Sequence, residues 1–158
     1  MLEHLIINNM AYKEEYMLRA IKLAKESALE DEVPVGCVIV KDDVIIAESG
    51  NKKEASNNAI AHAEIVALSH ATKVLKNWWL EGCELYVTLE PCTMCFGAMI
   101  NSRIKALYFG AYDLKTGVCG SKIDLTKEGL YNHKIEVTGG YLQNECGSIL
   151  SEYFKAKR

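Results

Sequence analysis

Apolar positions along this chain fall into two patterns, stripes at helical spacing and short unbroken runs. Tyr16, Ala20, Ile21, Leu23, Ala24 and Ala28 recur at helical spacing and predict a first helix around 12–30, with Pro34 and Gly36 beyond its end. The stretch 35–40 is an almost continuous apolar run, short enough for a buried strand. Lys41-Asp42-Asp43 then reads as a tight turn into a second strand over 44–47, which completes a hairpin. Ala63, Val66, Ala67, Ala71 and Val74 make one helical stripe, so His62 and Glu64 open a helix of about four turns. Strands are expected at 85–88, 104–109 and 135–138, and a helix at 92–101 that Pro91 suits at its first turn. Leu142, Cys146, Ile149, Leu150 and Tyr153 mark a C-terminal amphipathic helix. Strands alternating with helices predict an α/β sandwich, parallel where helices cross between strands. The stretch 110–133 is a long connection, and loops of that length are usually functional.

Length and composition add limits. The 158 residues fit one domain spanning 1–158, with no repeat, low-complexity tract or linker, and 1–11 form an N-terminal extension of no legible role. With 49% hydrophobic and 25% charged residues the chain can bury a core and still dissolve. No stretch approaches the roughly 18 apolar residues of a membrane helix. Leu5-Ile6-Ile7 follows no basic start, so nothing there reads as secretory. Six cysteines in such a chain point to a reducing cytoplasm, where a Cys-x-x-Cys binds metal or does chemistry more often than it forms a disulfide.

A net charge of −3 gives no general basic field for nucleic acid. Local basic groups occur at Lys52-Lys53, at Arg103 with Lys105, and at Lys155, Lys157 and Arg158; solvated surface is the default for each. Trp78-Trp79 is by default an exposed aromatic pair, with base stacking as the functional alternative.

The chemistry concentrates in His62-Ala63-Glu64 and Pro91-Cys92-Thr93-Met94-Cys95. His-x-Glu followed by Pro-Cys-x-x-Cys is the signature of zinc-dependent nucleobase deaminases. Cys92 and Cys95 lie three apart and share a helix face, where the helix N-terminus favours thiolates. One zinc per chain on His62, Cys92 and Cys95 would keep its fourth position for water, whose pKa it lowers to near ~7. Glu64 would carry the proton from that water to the ring nitrogen and then to the departing amine. No organic cofactor is called for. Three other readings stay open: a Cys-x-x-Cys redox pair, a structural zinc with Cys37 or Cys83 as fourth ligand, and a zinc-stabilised binding module without catalysis. Glu64 argues against the last, because a structural site needs no acid beside the metal.

Beyond the motif, the chain resembles the bacterial tRNA-specific adenosine deaminases. The likeness rests on Val33-Pro34-Val35-Gly36, Gly50-Asn51, Ala61-His62-Ala63-Glu64-Ile65 and the run from Tyr86 through Cys95. It continues in Gly110-Ala111-Tyr112-Asp113, Lys115-Thr116-Gly117, Gly120-Ser121 and Asn132-His133, and so runs from about residue 12 to the C-terminus. The resemblance implies a cytidine-deaminase-like three-layer α/β/α sandwich with a mixed five-stranded sheet, working as a homodimer. It also implies conversion of adenosine to inosine at the wobble position of a tRNA anticodon, commonly of an arginine tRNA. Asn51 would hydrogen-bond the flipped adenine, and Asp113 and Asn132 would contact the anticodon stem-loop. Turn chemistry is the plain alternative for these three. Deamination of free guanine, cytosine or cytidine is the competing activity; a riboflavin-pathway pyrimidine deaminase fits less well, lacking room for its usual reductase partner. One departure stands out: many relatives carry Asp-Pro-Thr where this chain has Asn58-Ala59-Ile60, which predicts a looser loop beside the pocket.

Overall fold

Residues 12–158 are described by the computed structural model, and the N-terminal extension lies outside them. Helix α1 (Glu14–Leu29) leads into the hairpin β1 (Gly36–Lys41) and β2 (Val44–Gly50). Then follow α2 (Ala63–Leu75), β3 (Glu84–Leu89), α3 (Thr93–Asn101), β4 (Ala106–Ala111), β5 (Glu136–Thr138) and α4 (Gln143–Ala156). The strands form one sheet in the order β2-β1-β3-β4-β5. β1 is antiparallel to both neighbours, whereas β3, β4 and β5 run parallel. β4 and β5 are parallel although only loop joins them, so a helical crossover was not the sole route to parallel pairing.

Alternation along the strands builds the three layers. Cys37, Ile39, Leu85, Val87, Leu107 and Phe109 point to one face and pack with α2 and α3 residues such as Ala67, Leu68, Phe96 and Met99. Their neighbours Val38, Val40, Tyr86 and Tyr108 point to the other face, against Met17, Ala20 and Ile21 of α1 and Cys146 of α4. This is the cytidine-deaminase-like α/β/α arrangement with a mixed five-stranded sheet. Gly36 lets α1 cross β1 at backbone contact: a Cβ there would sit 1.8 Å from the Ala20 carbonyl oxygen.

Several element bounds differ from expectation. β2 continues through Glu48 and Ser49 to Gly50. Those polar residues disguised it, but Glu48 faces Arg19 and the Ser49 hydroxyl bonds the Gly50 carbonyl. The turn is the two-residue loop Asp42-Asp43 with φ of 49° and 60°, as a type I′ hairpin requires. In α2 the buried stripe is Ala63, Glu64, Ala67, Leu68 and Ala71, rotated from the expected one; Val74 is exposed beside the left-handed Lys76 that ends the helix. Pro91 stands ahead of the N-cap Cys92 rather than inside the first turn of α3. Ile104 is buried but precedes β4.

Candidate active site

The expected metal-binding residues meet at two helix starts. His62 is the N-cap of α2 and Cys92 the N-cap of α3, each in extended backbone, with Cys95 one turn into α3. β3 runs directly into Pro91-Cys92, whereas the loop 51–62 separates β2 from α2, so only one of the two joints is the direct strand-to-helix kind. His62 Nδ1 lies 3.7 Å from Cys92 Sγ and 3.5 Å from Cys95 Sγ. A tetrahedral zinc with bonds of about 2.0 Å to nitrogen and about 2.3 Å to sulfur separates such donors by roughly 3.5 Å. Both nitrogen–sulfur separations therefore suit a tetrahedral zinc, and all three donor atoms lie within 4.8 Å of one another. Among the described residues, no fourth His, Cys, Asp or Glu joins this group. Cys37 and Cys83 are wholly buried in the apolar core instead.

The electrostatics suit a cation. A hydrogen bond from Cys95, then one with His62, holds the Cys92 thiol down to about 4. The same shared proton and charge push Cys95 upward. His62 is raised by its hydrogen bond with Cys92. Glu64, one residue into α2 and almost fully buried, is raised chiefly by desolvation.

A cavity of about 170 Å³ opens at this point, lined in part by His62, Cys92, Glu64, Asn51, Lys53 and Asp113. Asn51 is buried and doubly engaged: its Nδ2 donates to the Val33 carbonyl at 2.9 Å and its Oδ1 accepts from the Ala63 N–H at 2.8 Å. Asp113 lines the same cavity from an Asx-type turn, accepting from the Lys115 and Thr116 N–H groups at 3.0 and 3.2 Å. Asp113 thus combines local turn chemistry with a place in the cavity lining, whereas Asn51 lines the cavity through bonds to residues distant in sequence. Asn132 lies elsewhere: exposed, it accepts from Arg103 at 3.0 Å and lines a different cavity with Lys105 and Trp79. The indoles of Trp78 and Trp79 are exposed and stack on one another, 6.3 Å between centroids. His70 is exposed on α2.

Two buried glutamates escaped the sequence reading. Glu32 accepts from the Glu54 and Ala55 N–H groups at 3.0 and 2.8 Å and so ties down the loop that carries Lys53. Asn58 adds an Asx bond to the Ile60 N–H at 3.1 Å, and Lys52 N–H bonds the Ala61 carbonyl. The loop without the proline is therefore well tied. Glu90 accepts from Asp113, Cys119 and Ser121, fixing the loop that brings Asp113 to the cavity. The one available signal was position: Glu32 stands two residues before Pro34 in the loop after α1, and Glu90 follows β3 directly ahead of Pro91, places where an unpaired buried carboxylate would be costly.

Comparison with known proteins agrees with this geometry. The profile described as the cytidine and deoxycytidylate deaminase zinc-binding region matches residues 10–111. The chain is 46% identical over 149 residues to the tRNA-specific adenosine deaminase of Bacillus subtilis (strain 168), covering 94% of this chain and 92% of that one. A solved structure from biochemical and structural studies of A-to-I editing by tRNA:A34 deaminases at the wobble position of transfer RNA is similar with a TM-score of 0.84 and 39% identity, over 87% of this chain and 100% of that chain. A structure of guanine deaminase from Nitrosomonas europaea is similar with a TM-score of 0.78 and 30% identity, over 90% of this chain and 85% of that one.

Proposed function

Because the chain belongs to the cytidine and deoxycytidylate deaminase family, we propose that it is a zinc-dependent tRNA adenosine deaminase acting at the wobble position of an anticodon, that of an arginine tRNA. The reaction is adenosine plus water to inosine plus ammonia. One observation carries this reading: His62 and Cys92 line a single small cavity with buried Glu64 and Asn51, and Cys95 Sγ stands 3.5 Å from His62 Nδ1 to complete the donor set. In the proposal His62, Cys92 and Cys95 hold one zinc per chain. When bound, zinc supplies Lewis-acid activation of water at neutral pH.

The protein's own groups do the rest. Glu64 takes a proton from the attacking water and gives it to ring N1, then takes the second proton from the hydroxyl added at C6 and delivers it to the leaving 6-amino group, so that ammonia departs as the C6 carbonyl forms. N1 protonation is what makes C6 an acceptor for the incoming oxygen. Asn51 holds the base: after its two internal bonds one amide hydrogen and one oxygen lone pair remain, matching adenine's mixed edge. Asp113 and Thr116 form the wall the flanking RNA meets. Asn132, outside the cavity, would touch RNA beyond the flipped nucleotide. An anticodon loop supplies a base that is cheap to extrude. The same reading carries a homodimer working in the cytoplasm. Among the described residues no helix is long and apolar enough to cross a membrane.

The likeness to a guanine deaminase keeps a free-base substrate as the second reading. Purified protein should be assayed on an arginine-tRNA stem-loop bearing wobble adenosine, and on free guanine, cytosine, cytidine and adenosine. Fast inosine formation in the stem-loop alone is expected. Efficient turnover of guanine or cytosine with the stem-loop untouched overturns the tRNA assignment and leaves the deaminase chemistry standing.

A further inference from the structure

Glu90 is a buried carboxylate whose partners are neutral donors. Its Oε2 accepts from the Asp113 N–H at 2.9 Å and from the Ser121 hydroxyl, and its Oε1 accepts from the Cys119 and Ser121 N–H groups at 2.9 and 3.1 Å. Backbone dipoles thus do for this charge what a cation does elsewhere. The loop closes around it: Gly117 N–H bonds the Asp113 carbonyl at 2.9 Å, and Val118 N–H bonds the Pro91 carbonyl at 3.0 Å. A Cβ at Gly117 would fall 2.4 Å from the Glu90 carboxylate, so only glycine lets the chain pass there. From the Asp113 amide the order passes on, because the Asp113 carboxylate bonds the Thr116 N–H and hydroxyl at 3.2 and 2.7 Å. Asp113 and Thr116 are the residues this loop gives to the cavity wall.

We propose that Glu90 is a positioning residue for substrate recognition, acting through the Asp113 amide to preform the cavity wall on which RNA around the flipped base docks. The proposal rests on the reading of that cavity as a nucleotide pocket in RNA. Glu90→Gln tests it with little change of shape. An amide nitrogen on the Oε2 side can still pair with the Ser121 hydroxyl, which reverses its role from donor to acceptor. The Asp113 N–H cannot reverse, so that bond alone is lost, while Cys119 and Ser121 keep theirs to the remaining oxygen.

Amide hydrogen exchange and kinetics on the wobble-adenosine stem-loop read out the consequence. In Glu90→Gln the Asp113 amide should exchange about tenfold faster or more, with the Cys119 and Ser121 amides changed less and zinc content kept. KM for the stem-loop should rise about tenfold while kcat changes by less than about threefold. In Glu90→Gln combined with Asp113→Ala, KM should be no higher than in Asp113→Ala alone, because the glutamate acts through that residue. Multiplying KM effects, an unchanged Asp113 exchange rate, or a kcat loss at constant KM each overturns the proposal. Should the variant not fold, the native protein decides: Asp113, Cys119 and Ser121 amides must exchange more slowly than that of Lys115, whose acceptor is the more exposed Asp113 carboxylate, and equal rates refute the clamp. Wild-type protein inert on the stem-loop overturns the substrate reading, and the exchange rates still judge the clamp.

Discussion

Asn51 fastens Ala63. The 2.8 Å bond from the Ala63 N–H to Asn51 Oδ1 caps α2 from a distant loop, between the candidate ligand His62 and the candidate proton carrier Glu64. His62 makes no side-chain cap itself, which leaves its imidazole free for a metal. The residue proposed to hold the base therefore also holds the helix start on which the candidate ligand and proton carrier stand.

Removing that side chain should cost stability as well as binding. Asn51→Ala loses a helix-capping acceptor, worth about 1–2 kcal/mol, and strands the Val33 carbonyl. Thermal unfolding should shift down by about 3–8 °C at unchanged metal content, with a raised KM for RNA. An unshifted midpoint contradicts the capping role.

Metal content is the next test. Elemental analysis should find one zinc per chain, and Cys92→Ala or His62→Ala should lose it together with thermal stability, since metal binding energy is also folding energy. Chelation of the wild type should lower its midpoint similarly. Protein that folds equally well and works without zinc refutes the assigned donor set.

Chemistry separates from metal binding at Glu64. Glu64→Ala should retain zinc yet lose a factor of about 10²–10⁴ in kcat, the usual worth of general acid–base catalysis. Near-normal turnover would require another proton carrier in the cavity.

Much of this was legible in the residues themselves. The runs 35–40 and 85–88 announced buried strands because both faces of the sheet are covered, and the His-x-Glu and Cys-x-x-Cys spacings announced a donor set. What stayed hidden depends on contacts far apart in sequence. Glu48 and Ser49 look like a strand end until Arg19 is brought beside them. Glu32 and Glu90 look like surface acids until loops fold over them and present N–H groups. Asn132 shares its neighbourhood with Asp113 in sequence, yet the fold sends the two to different cavities, and no local pattern encodes that.

Acid sensitivity should register the Arg19–Glu48 pair, a two-pronged contact at 2.6 and 2.8 Å. Arg19 holds the Glu48 carboxyl below its usual range. A carboxylate lowered on folding contributes stability above its unfolded pKa and loses it as pH falls through the folded value. Since both side chains are about one-third exposed, Glu48→Gln should cost no more than about 1 kcal/mol at pH 7. The difference from wild type should fade below about pH 4. A constant difference at every pH would assign the effect to packing instead.

Lys53 offers the sharpest reading of the RNA hypothesis. It lines the cavity and is exposed, whereas its neighbour Lys52 is occupied by Glu30 at 3.1 Å. In a protein of net charge −3, attraction of a phosphate chain has to come from such local groups. Deamination of the stem-loop should weaken as salt rises, because part of the binding is counterion release, with a slope of roughly 0.7 per phosphate contact on a single strand. Lys53→Gln should raise KM and flatten that slope by about one contact, while leaving zinc content and the unfolding midpoint unchanged. A surface lysine with no RNA role would leave the slope as it was. If the slope is unaltered in Lys53→Gln but flattens in Lys115→Gln, the phosphate path runs along the Asp113 loop rather than past Lys53.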